Sequence, residues 1–117
     1  MQDITSRSDV AKIVVEFYND VRRDELLAYI FNDVAQVNWE THTPLIIDFW
    51  EYTVLGTGSY TRNAMTPHVA LHAKSPLTQA HFDRWLQLFH ATVDKYFAGE
   101  NADLMKTRAD GIAGLMH

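Results

Sequence analysis

Apolar residues recur along most of this chain at the three-and-four spacing of a helical face. The first stripe, Val10, Ile13, Val14, Phe17, Tyr18 and Val21, predicts a helix over 6–24. Ser6, followed three residues on by Asp9, reads as a capping box, with Ser8 as an alternative cap. Arg22 and Arg23 fall in the last turn, where positive charge suits the helix dipole. A short apolar piece over 26–31 follows, closed by Asn32-Asp33; it is too short to hold a helix alone and must be held by packing.

A second helix is predicted over 39–55. His42, Ile46, Phe49 and Thr53 fall on one line, with Trp39, Thr43, Trp50 and Val54 beside it. Pro44 lacks a backbone donor, so it belongs near the helix start with Thr41 or Thr43 as cap. Gly56-Thr57-Gly58 stops the helix. Residues 59–77 show little period and are interrupted by Pro67 and Pro76, which predicts a loop with a helical turn or two near His68. Thr78 caps a third long helix reaching residue 98, whose stripe is Phe82, Trp85, Leu86, Phe89, Val93, Tyr96 and Phe97. Gly99 ends it. Asn101 is placed as the cap of a last helix carrying Leu104, Met105, Ala109, Ile112, Ala113 and Met116. No strand period, repeat or low-complexity segment interrupts this pattern, and the class is all-α.

With 117 residues the chain has room for one core, so a single domain over 1–117 is expected. A hydrophobic fraction of 47% with 21% charged residues is that of a packed globule, not of a disordered segment. Ten basic and fifteen acidic residues leave a net charge of −5, which argues against nucleic acid as a partner. Without cysteine there are no disulfides, iron–sulfur clusters or thiol catalysis. The longest uncharged run, the eleven residues over 63–73, falls short of the ~20 apolar residues of a membrane span. Met1-Gln2-Asp3-Ile4 lacks the basic and apolar segments of a secretory leader, so a cytoplasmic location is expected.

Six histidines stand in the chain: His42, His68, His72, His81, His90 and His117. His68 and His72 have the i, i+4 spacing that can hold a metal on a helix. No Glu follows His68, so the metalloprotease pattern is absent, and no nearby acid offers a third zinc ligand. Taken with the aromatics, the histidines read differently. Phe17-Tyr18-x-x-Val21-Arg22, Ile30-Phe31-Asn32, Trp39-x-x-His42 with Phe49-Trp50, Met65-x-x-His68, and His81-Phe82-x-Arg84-Trp85-Leu86 follow one another at compatible spacing over about residues 10–116. In this order they resemble the group III truncated haemoglobins of bacteria.

That resemblance implies a two-over-two helical sandwich, the first two helices crossing the last two, around haem b. It places His68 as the proximal iron ligand, with His72 as competitor, since His72 stands nearer the usual distance from Trp85. Neutral imidazole is a good axial ligand for haem iron. It implies Tyr18 and Trp85 as distal hydrogen-bond donors to a diatomic gas, and His42 as a gating residue above the iron. Ile46 would shape the apolar floor, Phe31 would stack on the porphyrin, and Phe49 and Trp50 would wall it; plain core packing serves Phe31, Phe49 and Trp50 equally. Arg62, Lys74 and Arg84 are candidates to meet propionates, with solvation the simpler fate. His81 reads as a cap or surface residue and His90 as solvated.

The expected function is therefore binding of oxygen, and of nitric oxide as a second ligand, at a five-coordinate iron. Two polar donors favour ligand chemistry or detoxification over bulk transport, with a reductase as partner. The competing class is a haem-free helical sensor or adaptor whose pocket takes a small apolar ligand or a partner helix.

Overall fold

A computed structural model describes residues 1–28, 39–58 and 78–116, apart from the side chains of Trp39, Thr41, His42, Leu115 and Met116. Within these residues the chain forms α1 (Arg7–Arg23), α2 (Trp39–Leu55), α3 (Gln79–Tyr96) and α4 (Glu100–Met116). The first stripe becomes the buried face of α1 without exception: Val10, Ile13, Val14, Phe17, Tyr18 and Val21 are all buried. Ser6 caps α1, its hydroxyl accepting from the Asp9 N–H at 3.3 Å. The Asp9 carboxylate reaches back past the cap to the Thr5 N–H at 2.9 Å, so the reciprocal half of the box closes one residue early.

On α2 the inward line is Ile46, Ile47, Trp50 and Val54, while Phe49 and Thr53 are half-buried. Pro44 lies inside this helix, and Thr41 and Thr43 lie within it too, so neither is its cap. Glu40 and Pro44 both face solvent. Water can therefore satisfy the carbonyl that the missing Pro44 N–H would have met. Gly56, at φ 70°, closes α2 with its N–H on the Tyr52 carbonyl at 3.0 Å.

Thr78 caps α3 as expected, and His81 completes the box: the Thr78 hydroxyl accepts from the His81 N–H, and His81 Nδ1 accepts from the Thr78 N–H at 3.0 Å. The start of α4 departs from expectation. Asn101 lies inside the helix, and the cap comes from the far end of the chain. The Asp3 carboxylate accepts from the N–H groups of Asn101 and Ala102, both at 2.9 Å. Asn101 Nδ2 in turn donates to the Ile4 carbonyl at 2.7 Å, and the Ala98 N–H to the Gln2 carbonyl at 3.0 Å. Ile4 is thereby fully buried. Gly99 makes room for this docking: its φ is +145°, and a Cβ there would stand 2.4 Å from Asp3 Cγ.

The helices pack in a ring. α1 lies against α2 and α3, and α4 lies against α3 and α2. This is the two-over-two arrangement, and its interior is the continuous apolar cluster of the four helices with Ile4 and Leu27. Across its diagonal, α2 and α3 meet through large side chains, Trp50 against Phe89. Arg7 bridges α1 to α2 by pairing with Asp48 and Glu51, and Lys106 and His90 join α4 to α3 through Asp94 and Asp110. These exposed pairs contribute ~0–1 kcal/mol each, so burial of the stripes carries the fold.

Candidate functional site

Three helices bring one group of rings together. α1 supplies Phe17 and Tyr18, set edge to face at 4.7 Å. α3 supplies Trp85 and, one turn on, Phe89, stacked at 5.5 Å with 14° between planes. Trp50 of α2 meets the other side of the group at Phe89, 5.2 Å away. Phe17 stands edge-on to both Trp85 (5.4 Å) and Phe89 (5.0 Å). Phe49 flanks Trp50 at 5.2 Å, and Ile46, one turn before Trp50, is buried. Edge-to-face and offset-stacked pairs are the arrangements the ring quadrupoles favour.

Two polar groups are carried into this apolar packing. The Tyr18 hydroxyl is fully desolvated, and burial drives the phenol far above its ordinary pKa. The nearby Trp85 indole acts the other way and is outweighed. Both residues that the sequence nominated as distal donors thus stand near each other, among aromatic neighbours.

Next to them lies a charged pair. Asp24, directly after α1, is almost wholly buried, and Arg84, directly before Trp85, donates from Nε to Asp24 Oδ1 at 2.7 Å. The second carboxylate oxygen accepts from the N–H groups of Leu26 and Leu27 at 3.0 and 3.1 Å. Arg84 Nη1 also donates to Gln87 at 3.0 Å. Arg84 is therefore held by the protein, which displaces its reading as a propionate partner. An acid closing the helix of Phe17-Tyr18 and an arginine abutting Trp85 were the available signals, but nothing local pairs residues 60 positions apart.

The remaining nominated residues divide between two cases. His42 lies on α2 one turn before Ile46, with its side chain outside the description. Phe31, His68 and His72 lie outside the described residues, as do Arg62 and Lys74. His81 is the α3 cap, and His90 Nε2 lies 2.8 Å from Asp110. Among the described residues no group of three His, Asp or Glu is placed to hold a metal ion. Nor is any described helix long and apolar enough to cross a membrane.

Comparison with known proteins agrees with this geometry. The family model for bacterial-like globins matches residues 2–117. A group 3 truncated haemoglobin of Campylobacter jejuni is 31% identical over 111 residues, spanning 92% of this chain and 85% of that protein. The crystal structure of a group III truncated haemoglobin from the same organism superposes with a TM-score of 0.82 at 28% identity, covering 99% of this chain and 92% of the other. An all-α ring of four helices, an aromatic group linking α1, α2 and α3, and likeness along nearly the whole length converge on one answer: the chain belongs to the bacterial-like globin family and is a haem-binding globin of the group III truncated type.

Proposed function

We propose that this globin binds oxygen, or another diatomic gas such as nitric oxide, at haem b ligated by His68, and that Tyr18 is its principal distal hydrogen-bond donor. The observation that carries this reading is the burial of Tyr18 and Trp85 together in the aromatic group, both against Phe17. The residues present suit a haem on this side: Ile46, Phe49 and Trp50 offer apolar walls, and a phenol and an indole offer the donors. When bound, the haem supplies a ferrous iron with an open sixth position for the gas.

The chain's own part is electrostatic. A phenol oxygen carries one proton to donate. Burial keeps that proton on the oxygen, because the phenolate is strongly disfavoured without water. Tyr18 can therefore stabilise partial negative charge on a gas ligand without becoming charged itself. A hydrogen bond to a charged acceptor contributes ~1.5–3 kcal/mol, or about tenfold to over a hundredfold in affinity. Trp85 acts in this arrangement by fixing the phenol, and His42, one turn before Ile46, is the residue to admit or contact the ligand. Such polar retention suits ligand chemistry or detoxification, served by a reductase, better than bulk transport.

The optical spectrum tests the reading directly. Purified protein supplied with haemin should show an intense porphyrin band that shifts when carbon monoxide is added to the reduced form. Protein that stays colourless and takes up no haemin would instead support a helical module for an apolar ligand.

A further inference from the structure

The Asp24–Arg84 pair sits where the two distal donors are set. Arg84 is the residue before Trp85, and Asp24 follows the last turn of the helix that carries Tyr18. The Asp24 side chain is 5% exposed and its two oxygens are shared between two tasks. Oδ1 takes the Arg84 Nε–H at 2.7 Å, and Oδ2 takes the N–H groups of Leu26 and Leu27. A single carboxylate thus ends α1, starts the next turn and clamps α3. Leu27 is itself fully buried, which anchors that turn from below.

We infer that Asp24 and Arg84 are positioning residues for the distal site: their ion pair fixes the register of α3 on α1, and with it the placing of Trp85 against the side of the pocket that carries Tyr18. The physical ground is geometric. A hydrogen bond weakens steeply with misalignment, and the Tyr18 donor on α1 is packed through Phe17 against Trp85 on α3, so a slide of one helix on the other turns the phenol from its line to the gas. The apolar contacts around it tolerate small slides, since ring packing is far less directional than a hydrogen bond. The Asp24–Arg84 pair supplies the directional tie that the rings do not. Arg84 is half-buried and its guanidinium is also held by Gln87, so the tie is limited in freedom at both ends.

This inference rests on the distal role proposed for Tyr18, and the test separates the two. The rate of oxygen release from reduced, haem-loaded protein is compared for Arg84→Met, Arg84→Lys, Asp24→Ser, Tyr18→Phe and the Arg84→Met/Tyr18→Phe double variant. Asp24→Ser keeps a hydroxyl to cap Leu26 and Leu27 while removing the partner of Arg84, so it serves where Arg84→Met does not fold. Arg84→Met and Asp24→Ser should each speed release about three- to tenfold, a part of the roughly tenfold or more expected from losing the Tyr18 hydrogen bond. Arg84→Lys, which keeps the charge but not the fork that meets both Asp24 and Gln87, should fall between the parent and Arg84→Met. In the Tyr18→Phe background Arg84→Met should add nothing, because there is no hydroxyl left to position. The carbon monoxide stretching frequency, which senses polarity at the gas, should move in Arg84→Met in the direction seen for Tyr18→Phe. Unchanged release in both Arg84→Met and Asp24→Ser, with Tyr18→Phe effective, overturns the positioning role alone. An undiminished Arg84→Met effect on top of Tyr18→Phe overturns it as well. Unchanged release in Tyr18→Phe removes Tyr18 from the site and the positioning role with it.

Discussion

Phe17 of α1 stands edge-on to Trp85 of α3, ring centroids 5.4 Å apart, so the two helices share an aromatic contact beside the buried Tyr18. Such edge-to-face pairs contribute about 0.5–1.5 kcal/mol beyond the area they bury. Phe17→Leu keeps an apolar side chain and removes the ring. The variant should therefore unfold at lower denaturant, while Phe17→Leu combined with Trp85→Leu should cost less than the two single losses together. Chemical denaturation of the three variants checks this. Strictly additive losses would contradict the pairing.

Oxygen release from the reduced haem-loaded protein should quicken in Tyr18→Phe by about tenfold or more. Its dependence on pH should be flat through the range where an ordinary phenol ionises, because burial holds the Tyr18 proton on. A tyrosine ordinarily titrates near pH ~10. Stopped-flow release measured from neutrality to pH ~10.5 decides this, and an acceleration centred near pH ~10 would show a phenol in contact with water.

The same raised pKa bears on stability. Above about pH 10 the unfolded chain loses the Tyr18 proton while the native chain keeps it. The unfolded state then binds fewer protons, so the contribution of Tyr18 is complete below that pH and falls as pH rises towards the native pKa. The slope is up to about 1.4 kcal/mol per pH unit. Urea titrations at rising pH should show a steeper alkaline loss in the parent than in Tyr18→Phe.

Asp3 governs the acid limb. Burial raises its pKa, but hydrogen bonds from the backbone of Asn101, Ala102 and Ile4 together lower it further than burial raises it. A group with a depressed native pKa contributes above its unfolded pKa of about 3.9 and loses that contribution as pH falls through the native value. Asp3→Ala should cost about 1 kcal/mol at neutral pH, the usual worth of a helix cap, and the cost should shrink below pH ~4. Gly99→Ala should be worse, because it joins a left-handed φ of 145° to a clash with Asp3. Gly56→Ala, at φ 70° with open space around it, should cost only about 1–2 kcal/mol.

The stripes of α1 and α3 were legible because local spacing determines which face is apolar, and every residue of the first stripe is buried. The Thr78 cap was legible for the same reason, being set by neighbours within four residues, whereas α3 ends at Tyr96 with Phe97 as its cap, and Gly99 makes room for Asp3 rather than stopping the helix. On α2 the pattern was ambiguous. Its apolar residues nearly circle the helix, and the buried line proved to be Ile46, Ile47, Trp50 and Val54, with Phe49 and Thr53 only half-buried. What periodicity cannot carry is long-range pairing. Asn101 had every local mark of a cap, yet Asp3, 98 residues away, holds that place. Arg84 looked solvated until the fold set Asp24 beside it. Tyr18 and Trp85 were nominated through family likeness; their nearness to each other, and the ring of Phe89 stacked on Trp85, come only from the packing of the helices.

The proximal side of the haem is open to the most direct test. His68 follows Met65 and Pro67, in the pattern of the family's ligand, while His72 stands four residues later and thirteen before Trp85. An axial imidazole that holds haem iron must be neutral. Only one of the two histidines can hold that place in a five-coordinate haem. His68→Ala should abolish the five-coordinate ferrous spectrum, and added imidazole should restore it by occupying the vacated position. His72→Ala should leave that spectrum intact. The reverse outcome, with loss in His72→Ala and rescue there by imidazole, would move the ligand four residues along the chain while leaving the distal roles proposed for Tyr18 and Trp85 in place.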